Sequence, residues 1–257
     1  MAAKAAACGH ELTGYTRRPR GDRTAAVLEA AGLKVSHDLA EATEAEIVSL
    51  CVFDDEQLRD VLLEKGVLAG LRPGTVVVIH TTASPVLVRS LAAAAPVGVA
   101  VLDANFSGTP QMATDGRLTL MTGGDPAALA RARPVLESFA CSITHVGGPG
   151  DGQTLKLINN ALFAGQLRLA SDALDLLRAE GLDPAAALDV LRVSSARSHA
   201  LDVLAREADW HSQIATLRHW LDKDADVARA AAADLGLDLG LIGLSIEGYG
   251  LAFKEGD

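Results

Sequence analysis

Lys156 and Asn160 stand four residues apart in Gly147-Gly148-Pro149-Gly150-Asp151-Gly152-Gln153-Thr154-Leu155-Lys156-Leu157-Ile158-Asn159-Asn160, where a glycine-rich turn hands over to a long apolar stretch. Residues at i and i+4 share one helical face, so an ammonium and an amide lie side by side and can reach the same small polar ligand. An ammonium within hydrogen-bond reach of an oxygen that gains negative charge stabilises it and can deliver a proton. Most helical lysines instead lay their stems over apolar surface and keep the charge in water. Spacing alone does not separate the two readings.

The elements that must hold these residues follow from the pattern of the chain. Residues 1–8 are alanine-rich and helix-favouring and stop at Gly9. Residues 11–16 read as a short strand closed by the basic turn Arg17-Arg18-Pro19-Arg20, and a helix over 24–31 ends at Gly32. Residues 47–53 are nearly continuous in apolar character, as a parallel strand covered on both faces requires. A helix capped by Asp54 or Asp55 follows, then a strand over 75–79, a helix opened by Ser84-Pro85, and a strand over 97–102. Residues 116–122 and 143–146 add two more strands around a helix that starts at Asp125-Pro126. Such alternation predicts an α/β fold with a mostly parallel sheet and helices on both faces. Ligands of that architecture bind beyond the carboxyl ends of the strands, which selects Thr16-Arg17-Arg18, Phe53-Asp54 and His80-Thr81-Thr82 as lining segments.

Beyond Gly152 the strands disappear. Residues 155–179 form one long helical stretch and Asp183-Pro184 caps another, so a domain boundary falls near residues 147–150. Apolar residues at Leu157, Leu162, Leu167, Leu169, Leu174 and Leu177 are more than one small face needs, which suggests a partner subunit as a neighbour.

The net charge of −10, with no long basic run, argues against a general nucleic-acid or anionic-membrane surface. No apolar run reaches the roughly 18 to 20 residues of a transmembrane helix, and the N-terminus lacks the apolar centre of a signal peptide. A cytoplasmic protein is expected. Cys8, Cys51 and Cys141 are scattered without metal spacing and read as free thiols. Neither do His80, His199, His211 and His219 show ligand spacing, so no metal site is expected.

Three segments in order, Asp103-Ala104-Asn105-Phe106-Ser107-Gly108-Thr109, then residues 116–124, then Gly150-Asp151-Gly152-Gln153-Thr154-Leu155-Lys156-Leu157-Ile158-Asn159-Asn160, resemble the β-hydroxyacid dehydrogenase family. The resemblance implies a Rossmann-like doubly wound domain over residues 1–148 and an all-α substrate and dimerisation domain over 149–257. It implies hydride transfer between NAD(P) and a short 3-hydroxy acid or its semialdehyde, in a homodimer or homotetramer. The family's acid/base lysine falls on Lys156, and the asparagine that orients substrate on Asn160. Ser107, Gly108 and Thr109 match the segment that holds the substrate carboxylate. Val52 and Phe53 match a step along the cofactor, Thr82 a threonine near the nicotinamide, and Lys223 the lysine of a late Lys-Asp pair.

Cofactor choice is read after the first strand, where an acid selects NAD and arginine selects the 2′-phosphate of NADP. Arg17 and Arg18 follow Thr16 with no acid among them, which favours NADP over NAD. The sequence departs from the family pattern at Asn105 and Phe106, where proline and valine are common, and at Thr109, often glycine. It also starts at the methionine that normally lies inside the family's first helix, without the preceding strand and G-x-G-x-x-G loop. The expectation is a sheet missing its middle strand, whose neighbours close up or leave apolar surface exposed, and weakened pyrophosphate binding. Two alternatives remain open: an imine reductase-like enzyme on the same fold, and a cofactor-poor remnant acting as a dimerising or interaction protein.

Overall fold

Short β-branched and apolar runs between helical stretches fold as a layered sheet because each run has one or two faces to bury. The computed structural model describes residues 1–16, 23–207 and 209–247, and the chain divides into two compact units, Met1–Lys156 and Leu157–Asp257. In the first unit α1 (Ala2–Ala7) precedes β1 (Thr13–Tyr15), α2 (Arg23–Ala30) and β2 (Lys34–Ser36). There follow β3 (Ile47–Leu50), α3 (Asp55–Arg59), α4 (Val67–Gly70), β4 (Val76–Ile79), α5 (Pro85–Ala94) and β5 (Ala100–Ser107). α6 (Pro110–Asp115), β6 (Leu118–Gly123), α7 (Pro126–Leu136) and β7 (Ala140–Gly147) complete the alternation.

Strands β1 and β2 pair in parallel as a two-stranded sheet, and the other five form a second sheet in the order β3-β4-β5-β6-β7. All its neighbours are parallel except β5 and β6. Among the described residues β3 pairs with β4 alone and no ladder joins the two sheets, so β1 and β3 do not close up on one another.

β4 explains the layering. Its four residues Val-Val-Val-Ile are all fully buried, with Val76 and Val78 in one apolar cluster and Val77 and Ile79 in another. Leu129, Ala132 and Leu136 of α7 join the first cluster, while Leu58 of α3, Leu68 of α4 and Leu87 and Leu91 of α5 join the second. One strand thus carries helices on both faces, as its unbroken apolar run demands. Helices α3, α5 and α7 start at side-chain caps: Asp54 accepts from Gln57 N–H, Ser84 from Val86 N–H, and Asp125 from Ala127 and Ala128 N–H.

The helix α8 (Asp151–Ala179) begins in the first unit and continues into the second, which also holds α9 (Pro184–Val193), α10 (His199–Leu204), α11 (Trp210–Leu235) and α12 (Gly240–Ile246). Its core is built from Leu157, Ala161, Ala164, Leu167 and Leu174 of α8 against Leu201 and Leu204 of α10 and Leu221, Ala225 and Ala228 of α11. Alanines on facing helices allow close approach. α12 comes so near α8 that a Cβ at Gly165 would lie 2.3 Å from Ser245 Oγ.

Candidate functional site

Asp103 organises the carboxyl end of the sheet in the first unit. It lies on β5, fully buried, and its carboxylate accepts from the N–H of Gly150 at 2.8 Å and of Gln153 at 2.7 Å. Those amides belong to the turn before α8 and to its first turn, where N–H groups have no partner within the helix. A negative charge at this end is also favoured by the helix dipole. Burial nonetheless raises the Asp103 pKa above its ordinary value, while the two N–H donors pull the other way.

The glycines of the turn are required by close packing. A Cβ at Gly152 would meet Asp103 Oδ2 at 2.6 Å and the carbonyl of Met121 at 2.8 Å, and one at Gly123 the carbonyl of Gly148 at 2.4 Å. Gly150 has φ +88° and lies against the carbonyl of Pro85. The amides of this turn are committed internally, Gly148 N–H to Asp151 Oδ2 at 2.8 Å and Gly150 N–H to Asp103. The turn is therefore a helix anchor and offers no cradle of amides to a phosphate.

A buried carboxamide extends the anchor. Gln153 Oε1 accepts from Ala83 N–H and from Asn105 Nδ2, both at 2.9 Å, and its Nε2 donates to the Thr81 carbonyl at 2.8 Å. The Thr81 hydroxyl in turn accepts from Val52 N–H at 2.9 Å and donates to the Val52 carbonyl at 3.0 Å. The segments that follow β3 and β4 are thereby joined to each other, to β5 through Asn105 and to the first turn of α8. Lys156, half-buried, is the residue three places after Gln153 on that helix.

The other residues singled out by sequence lie as follows. Ser107 ends β5 half-buried. Gly108 has φ +140°, and a Cβ there would lie 2.6 Å from Leu118 Cδ2. Thr109 is the N-cap of α6, its hydroxyl accepting from Met112 N–H at 3.3 Å. Val52 and Thr82 are half-buried at the ends of β3 and β4, and Phe53 keeps 38% of its surface exposed. Thr16 is buried after β1, where its carbonyl bonds His37 Nδ1 at 2.9 Å. Arg17 and Arg18 lie outside the described residues.

In the second unit Asn160 Nδ2 donates to Asp224 Oδ2 at 2.5 Å, and Lys223 is half-buried next to that acid on α11. His80 is buried, with Nδ1 2.7 Å from the Ala104 carbonyl and its ring edge-on to Phe139. Burial lowers its pKa to about 4, so it is neutral at pH 7. Cys8, Cys51 and Cys141 are all exposed, although each stands in an apolar stretch of sequence. No helix among the described residues is long and apolar enough to cross a membrane.

Asp103, Gln153 and Asn105 had no individual role in the sequence reading, and Thr81 stood there only as part of a lining segment. Asp103 carried a signal, being a lone carboxylate in the apolar strand Ala-Val-Leu-Asp-Ala-Asn-Phe; a charge there must find partners. The Gln153 and Thr81 contacts span about 70 residues and leave no trace in local spacing.

A nicotinamide cofactor can be tested against these groups. An exposed aromatic at Phe53 beside half-buried Val52 and Thr82, at the carboxyl ends of adjacent parallel strands, fits the flat, partly apolar ring of a nicotinamide.

Comparison with known proteins agrees with this architecture. A family described as the NAD binding domain of 6-phosphogluconate dehydrogenase matches residues 1–147. The NAD-binding family of NADP-dependent 3-hydroxyisobutyrate dehydrogenase matches residues 150–255. An uncharacterized oxidoreductase of Shewanella frigidimarina is 31% identical over 94% of this chain and 84% of its own length. The NAD-dependent L-serine dehydrogenase of Pseudomonas aeruginosa is 36% identical over 68% of this chain and 60% of its own. Among solved structures, 3-hydroxyisobutyrate dehydrogenase of Mycobacterium tuberculosis with L-serine superposes with a TM-score of 0.85 and 29% identity, covering 96% of this chain and 87% of that one. With both family matches and these relatives, the chain belongs to the β-hydroxyacid dehydrogenases, NAD- or NADP-dependent oxidoreductases of hydroxy acids.

Proposed function

We propose that this protein interconverts a short 3-hydroxy acid and its semialdehyde or keto form with NADP in preference to NAD, and that Lys156 is the acid/base group. The observation that carries the reading is the anchoring of the first turn of α8 by Asp103 and Gln153, which gives a half-buried lysine a fixed origin at the carboxyl ends of the strands. When bound, the nicotinamide supplies or takes up the hydride. In reduction the Lys156 ammonium donates a proton to the substrate oxygen as its charge develops; in oxidation neutral Lys156 accepts the proton of the 3-hydroxyl. Ser107 and Gly108 hold the substrate carboxylate through a hydroxyl and a backbone N–H, and Asn160, itself held by Asp224, orients the substrate. Thr109 belongs to the same segment, and its hydroxyl, which accepts from Met112 N–H, keeps its own proton to donate to the carboxylate.

Thr16, Arg17, Arg18, Val52, Phe53, Thr82 and Lys223 are proposed on the cofactor side, with residues 1–148 as the nucleotide-binding domain and 149–257 as the substrate and dimerisation domain of a homodimer or homotetramer. The L-serine of two relatives is itself a 3-hydroxy acid, which supports the substrate class. The test is reduced-cofactor fluorescence on titration with NADPH and NADH, followed by turnover of 3-hydroxyisobutyrate and L-serine. Binding of neither cofactor at millimolar concentration would overturn the reading.

A further inference from the structure

We propose that Gln153, with Asn105 as its partner, is a positioning residue that latches the first turn of α8 to the loop after β4 and so sets where Lys156 points. The proposal rests on the assignment of Lys156 as the acid/base group. Asp103 bonds two backbone N–H groups on one side of the turn, and the glycines pack it against β5 and β6, which together fix the backbone at the end of the helix. The Gln153 carboxamide adds a side-chain restraint toward the loop after β4. It reaches the Ala83 amide and the Thr81 carbonyl, so the loop carrying Thr82 and the turn carrying Lys156 move as one piece. The alternative tie between α5 and α8, Arg89 to Asp151 at 3.7 Å, is exposed on both sides and contributes little. Lys156 lies three residues beyond Gln153 and therefore one helical turn along the same side.

Asn105 makes the latch two amides deep. Its Nδ2 donates to Gln153 Oε1 at 2.9 Å and to the Thr81 carbonyl at 3.2 Å, while its Oδ1 is buried with no partner among the described residues. An unpaired buried carbonyl is costly, and an apolar residue on β5 would avoid it. What the amide provides in return is its NH2 group, which holds Gln153 in the one rotamer that spans the gap.

The experiment uses the full chain with three readouts: steady-state kinetics against pH, a thermal melt at each pH, and labelling of Lys156 by an amine-reactive reagent, scored by peptide mass against exposed Lys34 as internal reference. The informative variant is Gln153→Glu. Protonated, its carboxyl donates to the Thr81 carbonyl and accepts from Ala83 and Asn105 as the amide does. Ionised, it has no proton for that carbonyl and sets a carboxylate oxygen against it. Near-wild-type kcat at the acid end is expected, falling by about tenfold or more relative to wild type as the new carboxyl ionises, because small misplacements of a catalytic group are costly. KM for the cofactor should stay within about twofold, since the loss belongs to the chemical step. The Lys156 labelling ratio should change by about threefold over the same pH range, as the ammonium leaves its fixed site. Gln153→Ala and Asn105→Ala should lose turnover without recovery at low pH.

A Gln153→Glu profile parallel to wild type with unchanged Lys156 labelling would overturn the proposal. So would losses of turnover matched throughout by loss of folded protein in the melts. If wild type turns over no hydroxy acid, the acid/base reading fails by itself, and the labelling ratio still decides whether Gln153 positions Lys156.

Discussion

At the scale of single residues, the acid/base role proposed for Lys156 and the burial of His80 each imply a pH dependence. On the proposed role reduction needs Lys156 protonated and oxidation needs it neutral, so kcat for oxidation should rise with pH and kcat for reduction fall, through one and the same ionisation. Lys156→Ala should lower both by about 10²- to 10⁴-fold, the usual worth of a positioned acid or base, and should abolish that ionisation in the pH profile. Turnover of 3-hydroxyisobutyrate or L-serine that survived the substitution unchanged would refute the assignment. His80 bears on stability. Its pKa is lowered from 6.5 to about 4 chiefly by burial, so folding favours the neutral ring. Its contribution is therefore complete above about pH 6.5 and is lost as pH falls toward 4, a difference of roughly 3 kcal/mol at 1.36 kcal/mol per pKa unit. Asp103 acts with the opposite sign: its raised pKa means that its protonation, as pH falls below that value, favours the folded state. Urea midpoints of wild type and His80→Asn between pH 7 and 4 separate the two, and the acid-side loss should be markedly smaller in the variant. Lys156 and Asn160 were singled out in the sequence by the family resemblance, since helix spacing places them on one face and leaves their role undecided. Asp103, Gln153 and Thr81 were not, because their partners lie 29 to 72 residues away and only the folded sheet brings them together.

At the scale of elements, the start of α8 is held by closeness as much as by hydrogen bonds. The sequence placed a glycine-rich turn ahead of a long helix; what it concealed is that the glycines let the turn press against β5 and β6. Gly152→Ala would put a methyl 2.6 Å from Asp103 Oδ2 and 2.8 Å from the Met121 carbonyl, both on strands that cannot retreat without breaking the β5–β6 ladder. The expected cost is about 2–4 kcal/mol, the range of a core substitution that forces backbone apart, read as a lower urea midpoint with unchanged slope. Gly181→Ala serves as the control. It has positive φ, which Gly152 does not, but a Cβ there meets nothing within 4 Å, so its substitution introduces backbone strain without a clash. A loss in Gly152→Ala no larger than in Gly181→Ala would show that packing against Asp103 is not what the turn requires. Strand and helix boundaries elsewhere were readable where caps announce them, as at Ser84-Pro85, Asp125-Pro126 and Asp183-Pro184. The separation of β1 and β2 from the five-stranded sheet was not, because pairing between distant strands is decided by register and by connections, which no local pattern records.

At the scale of the whole molecule, a net charge of −10 must coexist with a polyanionic dinucleotide. At physiological ionic strength the screening length is about 8 Å, so charges distributed over the surface contribute little and the few cations within reach of the phosphates decide the preference. The cations proposed for that role are Arg17 and Arg18, and a guanidinium that pairs the 2′-phosphate in two-pronged fashion discriminates strongly against a ribose hydroxyl. NADPH should accordingly raise the melting temperature more than NADH at equal concentration. At 100 times its dissociation constant a ligand stabilises by about 2.7 kcal/mol, which for a chain of this size corresponds to a shift of roughly 5–10 °C. Replacing Arg17 and Arg18 together by alanine should weaken NADPH by about tenfold or more, equivalent to at least 1.4 kcal/mol, and leave NADH within about twofold. The shift with NADPH would then shrink to that of NADH. If the double variant lost both cofactors alike, the arginines would be supporting the pyrophosphate or the turn itself, and the preference for NADP would have to come from elsewhere in the chain; if it lost neither, they would be surface charges only.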